Sequence, residues 1–231
     1  MDKNKIVIFS GAGISAESGL QTFRDSGGLW HNYKVSEVCT PEAWQDNPER
    51  VLDFYNQRRR NVADAEPNAA HRAIAELESQ FQVVVITQNI DDLHERAGST
   101  QVLHVHGEIT RARSSEDPSL IYELGYRDIK MGDLCDRGSQ LRPHIVWFGE
   151  EVFELEESLY HIQSASRVLV VGTSLSVFPV AALVHEAPGE AEKVIVSLDV
   201  EATPHDYQLY RERASEKVPQ LVSQWLVDKN A

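Results

Sequence analysis

Short runs dominated by apolar residues punctuate the chain at 5–9, 82–87, 168–171 and 193–198, each bounded by glycine or polar turn residues. Apolar runs of that length predict parallel strands buried on both faces, where no alternation with polar residues is needed. Helical patterns occupy the intervals. Pro67 opens one, in which Ala70, Ile74 and Leu77 share a face, and others are predicted over 91–97, 180–186 and 215–227. Strand and helix in succession predict an α/β fold on a Rossmann-like, doubly wound parallel sheet. Residues 20–66, with no strand-like run, and 107–143, polar and weakly periodic, break the rhythm. They read as insertions forming a small helical or irregular second lobe, which leaves 1–19, 67–106 and 144–231 as the Rossmann-like domain.

Composition narrows the partners. The 231 residues hold 22 Lys plus Arg against 36 Asp plus Glu, a formal charge of −14, with 42% hydrophobic residues. That is enough for one substantial core with a small appendage. A field of that sign repels phosphate backbones, so nucleic acid is not expected as a partner, and it attracts basic, lysine-bearing segments. Met1-Asp2-Lys3-Asn4-Lys5 leads into Ile6-Val7-Ile8-Phe9, a run too short for a signal h-region or a bilayer span. A cytoplasmic protein with no membrane partner is expected. With two cysteines, Cys39 and Cys135, a disulfide framework is not.

Ser10-Gly11-Ala12-Gly13-Ile14-Ser15-Ala16 follows the first strand, and Gly11, Gly13 and Ala16 have G-x-G-x-x-G/A spacing. Glycines there allow a tight turn and close approach of a pyrophosphate, met by free N–H groups at a helix N-terminus near Ser15. The same residues equally suit a strand-to-helix turn that needs small side chains for packing. Hydride transfer is disfavoured, because no second strand ends in Asp or Glu about 20 residues later to hold ribose hydroxyls.

The loop runs on as Gly11-Ala12-Gly13-Ile14-Ser15-Ala16-Glu17-Ser18-Gly19-Leu20-Gln21-Thr22-Phe23-Arg24-Asp25. In order there follow Thr87-Gln88-Asn89-Ile90-Asp91-Asp92-Leu93-His94, His104-Val105-His106-Gly107-Glu108, Leu141-Arg142-Pro143-His144-Ile145-Val146-Trp147-Phe148-Gly149-Glu150 and Gly172-Thr173-Ser174-Leu175-Ser176-Val177. These blocks closely resemble the signature segments of the sirtuins. The resemblance implies an NAD-dependent protein-lysine deacylase acting on acylated protein or peptide. It places NAD on Gly11, Ala12, Gly13, Ser15, Ala16, Phe23 and Arg24, on Gln88, Asn89 and Asp91, and on Gly172, Thr173, Ser174, Ser197 and Ala214. Ser197 stands where many sirtuins have Asn.

In sirtuins the residues matching Gln88, Asn89 and Asp91 hold the nicotinamide amide and its ribose. Asn89 or Asp91 also suits the cap of the following helix, and the two roles are compatible. His106, one of nine histidines, matches the family's catalytic position, with Asn89 and Asp91 beside it in the catalytic set. An unperturbed imidazole, with a pKa near 6.5, is available as a base at neutral pH. His104 stands two residues earlier, but no third ligand for a metal is evident. The implied chemistry is attack of the acyl oxygen on ribose C1′ as nicotinamide leaves, giving an alkylimidate. His106 then acts as general base on a ribose hydroxyl, and free lysine and O-acyl-ADP-ribose result. Val146, Phe148, Gly149 and Glu150 are expected to receive the peptide as an added strand and to line a tunnel for the lysine stem.

Asn47-Pro48-Glu49 reads as the N-cap, first-turn proline and first-turn acid of a helix that carries Tyr55 and Arg58 three residues apart on one face. A guanidinium fork and a phenol suit the acid end of a succinyl, malonyl or glutaryl group. Sirtuins that remove acidic acyl groups share this Tyr-x-x-Arg arrangement. Arg59 and Arg60 read instead as a solvated basic face, with Arg60 paired to Asp64. Cys39 stands where such enzymes tend to have Ala, so its sulfur is expected to narrow the pocket. Most sirtuins also carry two Cys-x-x-Cys pairs between the His-Gly and Phe-Gly-Glu blocks, forming a tetrahedral zinc site. That interval holds only Cys135 here, so no zinc is expected, and the lobe would rely on Leu120, Ile121, Tyr122, Leu124 and Leu134. A plain deacetylase, an NAD glycohydrolase or ADP-ribosyltransferase, and a non-catalytic NAD-sensing module stay open.

Overall fold

The computed structural model describes residues 2–22, 29–30, 33–200 and 202–230. It opens with β1 (Asp2–Ser10), the one-turn α1 (Gly13–Ala16), and the short strands β2 (Leu29–Trp30) and β3 (Tyr33–Lys34). Helices α2 (Val35–Val38), α3 (Pro41–Asp46), α4 (Pro48–Asp64) and α5 (Ala69–Glu76) come next. β4 (Gln82–Thr87), α6 (Leu93–Ala97) and β5 (Val102–His104) lead into β6 (Gly107–Ser114), β7 (Ile121–Glu123) and β8 (Leu141–Ile145). Then come α7 (Leu155–Ser164), β9 (Ala165–Val171), a 3-10 segment Val180–Glu186, β10 (Glu192–Val196), β11 (Gln208–Tyr210) and α8 (Ala214–Asn230).

The main sheet has the order β11-β10-β9-β1-β4-β5, with every pair parallel. Alternate residues of its strands feed two cores. Ile6, Ile8, Val83, Val85, Leu169 and Val171 pack under α5 and α8, whereas Val7, Phe9, Val84, Ile86, Val168 and Val170 meet Ile162 of α7 and Val180, Leu183 and Val184 of the 3-10 segment. Burial on both faces is why the runs are apolar throughout. The predicted strands are all present. The three-residue β11 is too short to show a period, and β5 ends at His104, two residues short of His106. At α5, Asn68 is the cap, accepting from Ala70 N at 2.9 Å, so Pro67 lies just outside the helix. The stretch over 180–186 is 3-10 rather than α.

The small lobe is less irregular than its sequence reads. β6 sits between β7 and β8 in an antiparallel sheet. A register shift between Glu108 and Ala112 puts the buried Ile109 and Ala112 out of strict alternation, which hides the strand. Its core differs from expectation too: Ile121 and Leu134 are exposed, and Leu52, Ala112 and Ile129 form the cluster, with Trp44, Leu124 and Leu141 against it. Helix α4 starts as its cap predicts, Asn47 accepting from Arg50 N. It then staples the lobe: the Asn56 amide pairs with both Ile129 N and Ile129 O at 2.9 and 2.8 Å. Arg59 is no solvated residue. It is wholly buried, donating to Ile109 O at 2.8 Å and Asn56 Oδ1 at 2.7 Å, while Arg60 pairs with Asp128 rather than Asp64.

Candidate active site

Strand order reverses at β1, which has β9 on one side and β4 on the other. Ligands of open α/β sheets collect beyond the strand ends at such a point. There the loop after β1 closes on the loop after β9: Gly11 N donates to Val171 O and Gly13 N to Gly172 O at 2.7 Å. A Cβ on Gly11 would come 2.8 Å from Thr173 Cβ, and one on Gly172, whose φ is +62°, would come 2.1 Å from Ile14 N. The glycines are thus required by loop-on-loop packing, the alternative raised for them. The N–H groups of Ile14, Ser15 and Ala16 are also satisfied within the loop. Those three donors therefore turn inward, and the buried Ser15 hydroxyl is itself engaged by Asn89 and Asp91. Phe23 and Arg24 lie outside the described residues. Ser174, bonded to Ser176, continues this edge, with buried Ser197 just past β10 and buried Ala214 at the start of α8.

The carboxyl end of β4 delivers Gln88, Asn89 and Asp91 to the same place. Asn89 Nδ2 donates to Ser15 Oγ at 3.1 Å, and its backbone N–H donates to Thr87 Oγ1. Gln88 Oε1 accepts from Thr173 Oγ1 at 3.0 Å. Asn89 Oδ1 and Gln88 Nε2 are left buried without a hydrogen-bond partner, an acceptor and a donor of the kind that a carboxamide ligand complements. Asp91 Oδ1 accepts from Leu93 N, so it does serve the helix start. Burial raises its pKa, and the Leu93 N–H and Ser15 draw it back.

His106 follows β5, and its Nδ1 lies 3.1 Å from Gln88 O. A carbonyl only accepts, so Nδ1 carries the proton and Nε2 has the free lone pair. Burial pushes this imidazole below its ordinary value, only partly offset by the Gln88 carbonyl. Gly107 permits the turn: its φ is +84°, and a Cβ would meet His144 O at 2.1 Å. His104 is a different kind of residue, buried between Asn89 O at 3.0 Å and Glu95 at 2.6 Å. Behind the site runs a chain not foreseen from the sequence, from His94 through Ser10 to Thr87 and so to Asn89. Among the described residues no cluster of three or more His, Cys, Asp or Glu is placed to hold a metal ion.

Tyr55 and Arg58 lie together on the inner face of α4, both buried. Tyr55 Oη donates to Cys39 Sγ at 3.4 Å and accepts from Trp147 Nε1 at 3.1 Å. Burial lowers the Arg58 guanidinium to about 10, against the attraction of Tyr55, Cys39 and Asp91. Beyond β8, Val146 N donates to His106 O and Phe148 N to Cys39 O, so these donors are not open to a peptide strand. Phe148 is half exposed and Gly149 has a φ of +92°. Glu150 corrects the expectation: its carboxylate points inward, accepting from Arg142 at 2.7 Å, Arg113 at 3.0 Å and Trp147 N at 2.8 Å, and so does not face substrate. Trp147 and Arg142 lie in one sequence block with a glutamate, an indole between an arginine and Glu150 being the only local signal; Arg113 joins them through the fold alone.

The Sir2 family model matches residues 11–179. An NAD-dependent protein deacylase of Helicobacter pylori (strain J99 / ATCC 700824) is 48% identical over 221 residues, covering 94% of this chain and 93% of the relative. One from Aggregatibacter actinomycetemcomitans is 54% identical over 190 residues, covering 82% and 91%. Among solved structures, a Sir2 homologue in complex with NAD superposes with a TM-score of 0.89 at 37% identity, covering 99% of this chain and 91% of that one. A Sir2–p53 peptide–NAD complex gives 0.80 at 30% identity, covering 98% and 95%.

Proposed function

The chain belongs to the Sir2 family and is a sirtuin-type NAD-dependent protein deacylase, and from that premise we propose that it removes succinyl and malonyl as well as acetyl groups from lysine side chains. The observation that carries this reading is the buried Tyr55–Arg58 pair on α4. A guanidinium and a phenol side by side on one buried helix face are the donors that suit a carboxylate guest, through charge-assisted hydrogen bonds. A plain acetyl group would use neither residue's polar end. The p53 peptide in a structural relative supports a protein segment as the carrier of the modified lysine.

NAD fits the residues at the strand ends. Gln88 Nε2 and Asn89 Oδ1 would hold the nicotinamide amide, the Gly11–Gly13 and Gly172–Ser174 loops would border the pyrophosphate and ribose, and Ser197 and Ala214 would lie toward the adenosine. When bound, NAD supplies an electrophilic ribose carbon to which the acyl oxygen can attach, with nicotinamide as leaving group. His106 supplies the base: Gln88 O fixes the Nδ1–H tautomer, so Nε2 takes the proton from a ribose hydroxyl. Asp91, next to Asn89 and within electrostatic reach of Arg58, orients hydroxyl donors. We assign residues 1–19, 67–106 and 144–231 to NAD binding and 20–66 and 107–143 to a zinc-free small lobe. Two free, buried thiols support a cytoplasmic setting, and no helix among the described residues is long and apolar enough to cross a membrane.

The test uses one peptide carrying succinyl- or acetyl-lysine, with NAD, read by mass spectrometry. Arg58→Met should cut kcat/KM for the succinyl peptide by about 10- to 100-fold more than for the acetyl peptide, as for loss of a charged hydrogen bond. Equal losses would remove Arg58 from acyl recognition. Failure of the wild type to yield O-succinyl-ADP-ribose would remove the acidic-acyl reading altogether.

A further inference from the structure

Trp147 joins the loop after β8 to the acyl pocket. It is 2% exposed, and its surroundings restrain it on several sides. The Arg142 guanidinium lies 3.2 Å over its ring, its backbone N–H donates to Glu150 Oε2, and its Nε1–H reaches Tyr55 Oη at 3.1 Å. Arg142 and Arg113 face each other across β8 and β6, a like-charge pair that would repel without the carboxylate they share. Glu150 serves both, taking Arg142 on both oxygens and Arg113 at 3.0 Å. On the far side, Phe148 N bonds Cys39 O, so the loop grips the pocket at Tyr55 and Cys39 alike.

An indole N–H only donates, whereas a phenol has one proton and an oxygen that accepts. At the Trp147–Tyr55 contact the phenol must therefore accept, which directs its own proton elsewhere. In this structure that proton rests on Cys39 Sγ at 3.4 Å, and sulfur is a weak acceptor. A carboxylate entering the pocket is a far stronger one. We propose that Trp147, clamped by Arg142 and Glu150, is a positioning residue for acyl recognition: its N–H holds the Tyr55 oxygen so that the phenol proton passes from the Cys39 sulfur to the carboxylate of an acidic acyl group. The inference rests on the acidic-acyl reading and extends it beyond the Tyr55–Arg58 pair.

The experiment compares wild type, Trp147→Phe, and a variant in which the residue 147 indole is replaced by benzothiophene, which keeps the ring shape and loses the N–H. Succinyl and acetyl forms of one peptide are assayed with saturating NAD. Both variants should raise the succinyl-to-acetyl ratio of KM values by about 3- to 10-fold, the loss of one hydrogen bond. In a Tyr55→Phe background the same substitutions should leave that ratio where Tyr55→Phe alone puts it. An unchanged ratio in the benzothiophene variant, or an undiminished effect without the Tyr55 hydroxyl, would overturn the assignment while leaving the acidic-acyl reading standing. A wild type that does not desuccinylate would overturn both.

Discussion

His106, the proposed base, shows how much of a side chain's state is set by one neighbour. The Gln88 carbonyl at 3.1 Å fixes its tautomer, and burial holds it below the ordinary imidazole value of 6.5. Because the base must be neutral, activity should rise as pH rises through that depressed pKa and be flat above it. We therefore expect kcat/KM to show an acid limb with an apparent pKa below 6.5, and His106→Ala to abolish formation of the unmodified peptide and O-acyl-ADP-ribose; an acid limb above neutrality, or an alanine variant that still forms them, would refute the role. Candidate residues were visible in the sequence where chemistry and spacing coincide, as with His106, Asn89 and the Tyr55–Arg58 pair. They were not where burial reverses the obvious reading. Arg59 looks like part of a solvated run, and only the approach of the Ile109 carbonyl turns it inward. Glu150 looks like a substrate contact, and only two arginines on neighbouring strands claim it.

Helix α6 illustrates the same point for elements. Its Glu95 reaches back to His104 at the end of β5, at 2.6 Å. Burial opposes the charge on His104, but Glu95, helped by Glu108 and the Asn89 carbonyl, outweighs it and raises the pKa to about 9. A raised histidine pKa contributes stability that is fully present below the unfolded value near 6.5 and is lost as pH rises through 9. Glu95 is partly exposed, so the pair is worth about 1 kcal/mol after screening, or roughly 2–4 °C in Tm. Glu95→Gln should thus melt lower than wild type at pH 7, with the gap closing at alkaline pH; a gap independent of pH would show the ion pair to be immaterial. The main strands and α4 could be read in advance because a doubly buried run and a capped helix leave local marks. The β6–β8 sheet could not, since a register shift and buried polar residues remove its alternation.

For the molecule as a whole, the small lobe asks what replaces four metal-binding thiolates. Cys135 merely hydrogen-bonds to Ser114 Oγ, and Arg137 pairs with Asp117 nearby. The load falls on α4 through the Asn56–Ile129 and Arg59–Ile109 bonds. We expect the purified protein to carry no stoichiometric zinc and its melting to be indifferent to a chelator, whereas Asn56→Ala, which leaves a buried N–H and C=O of Ile129 unpaired, should cost about 1–3 kcal/mol. Melting that falls on chelation would reverse this. The family, the alternation of strand and helix, the candidate base and the candidate acyl-recognising pair all lay in the sequence, because each depends on residue type at short or block-wise spacing. The tertiary structure alone decided that the glycine loops after β1 and β9 pack on each other, that Arg59 and Glu150 point inward, and that Trp147 bridges loop and pocket. Those outcomes depend on which distant carbonyl, carboxylate or phenol arrives beside each side chain, and no local pattern encodes that.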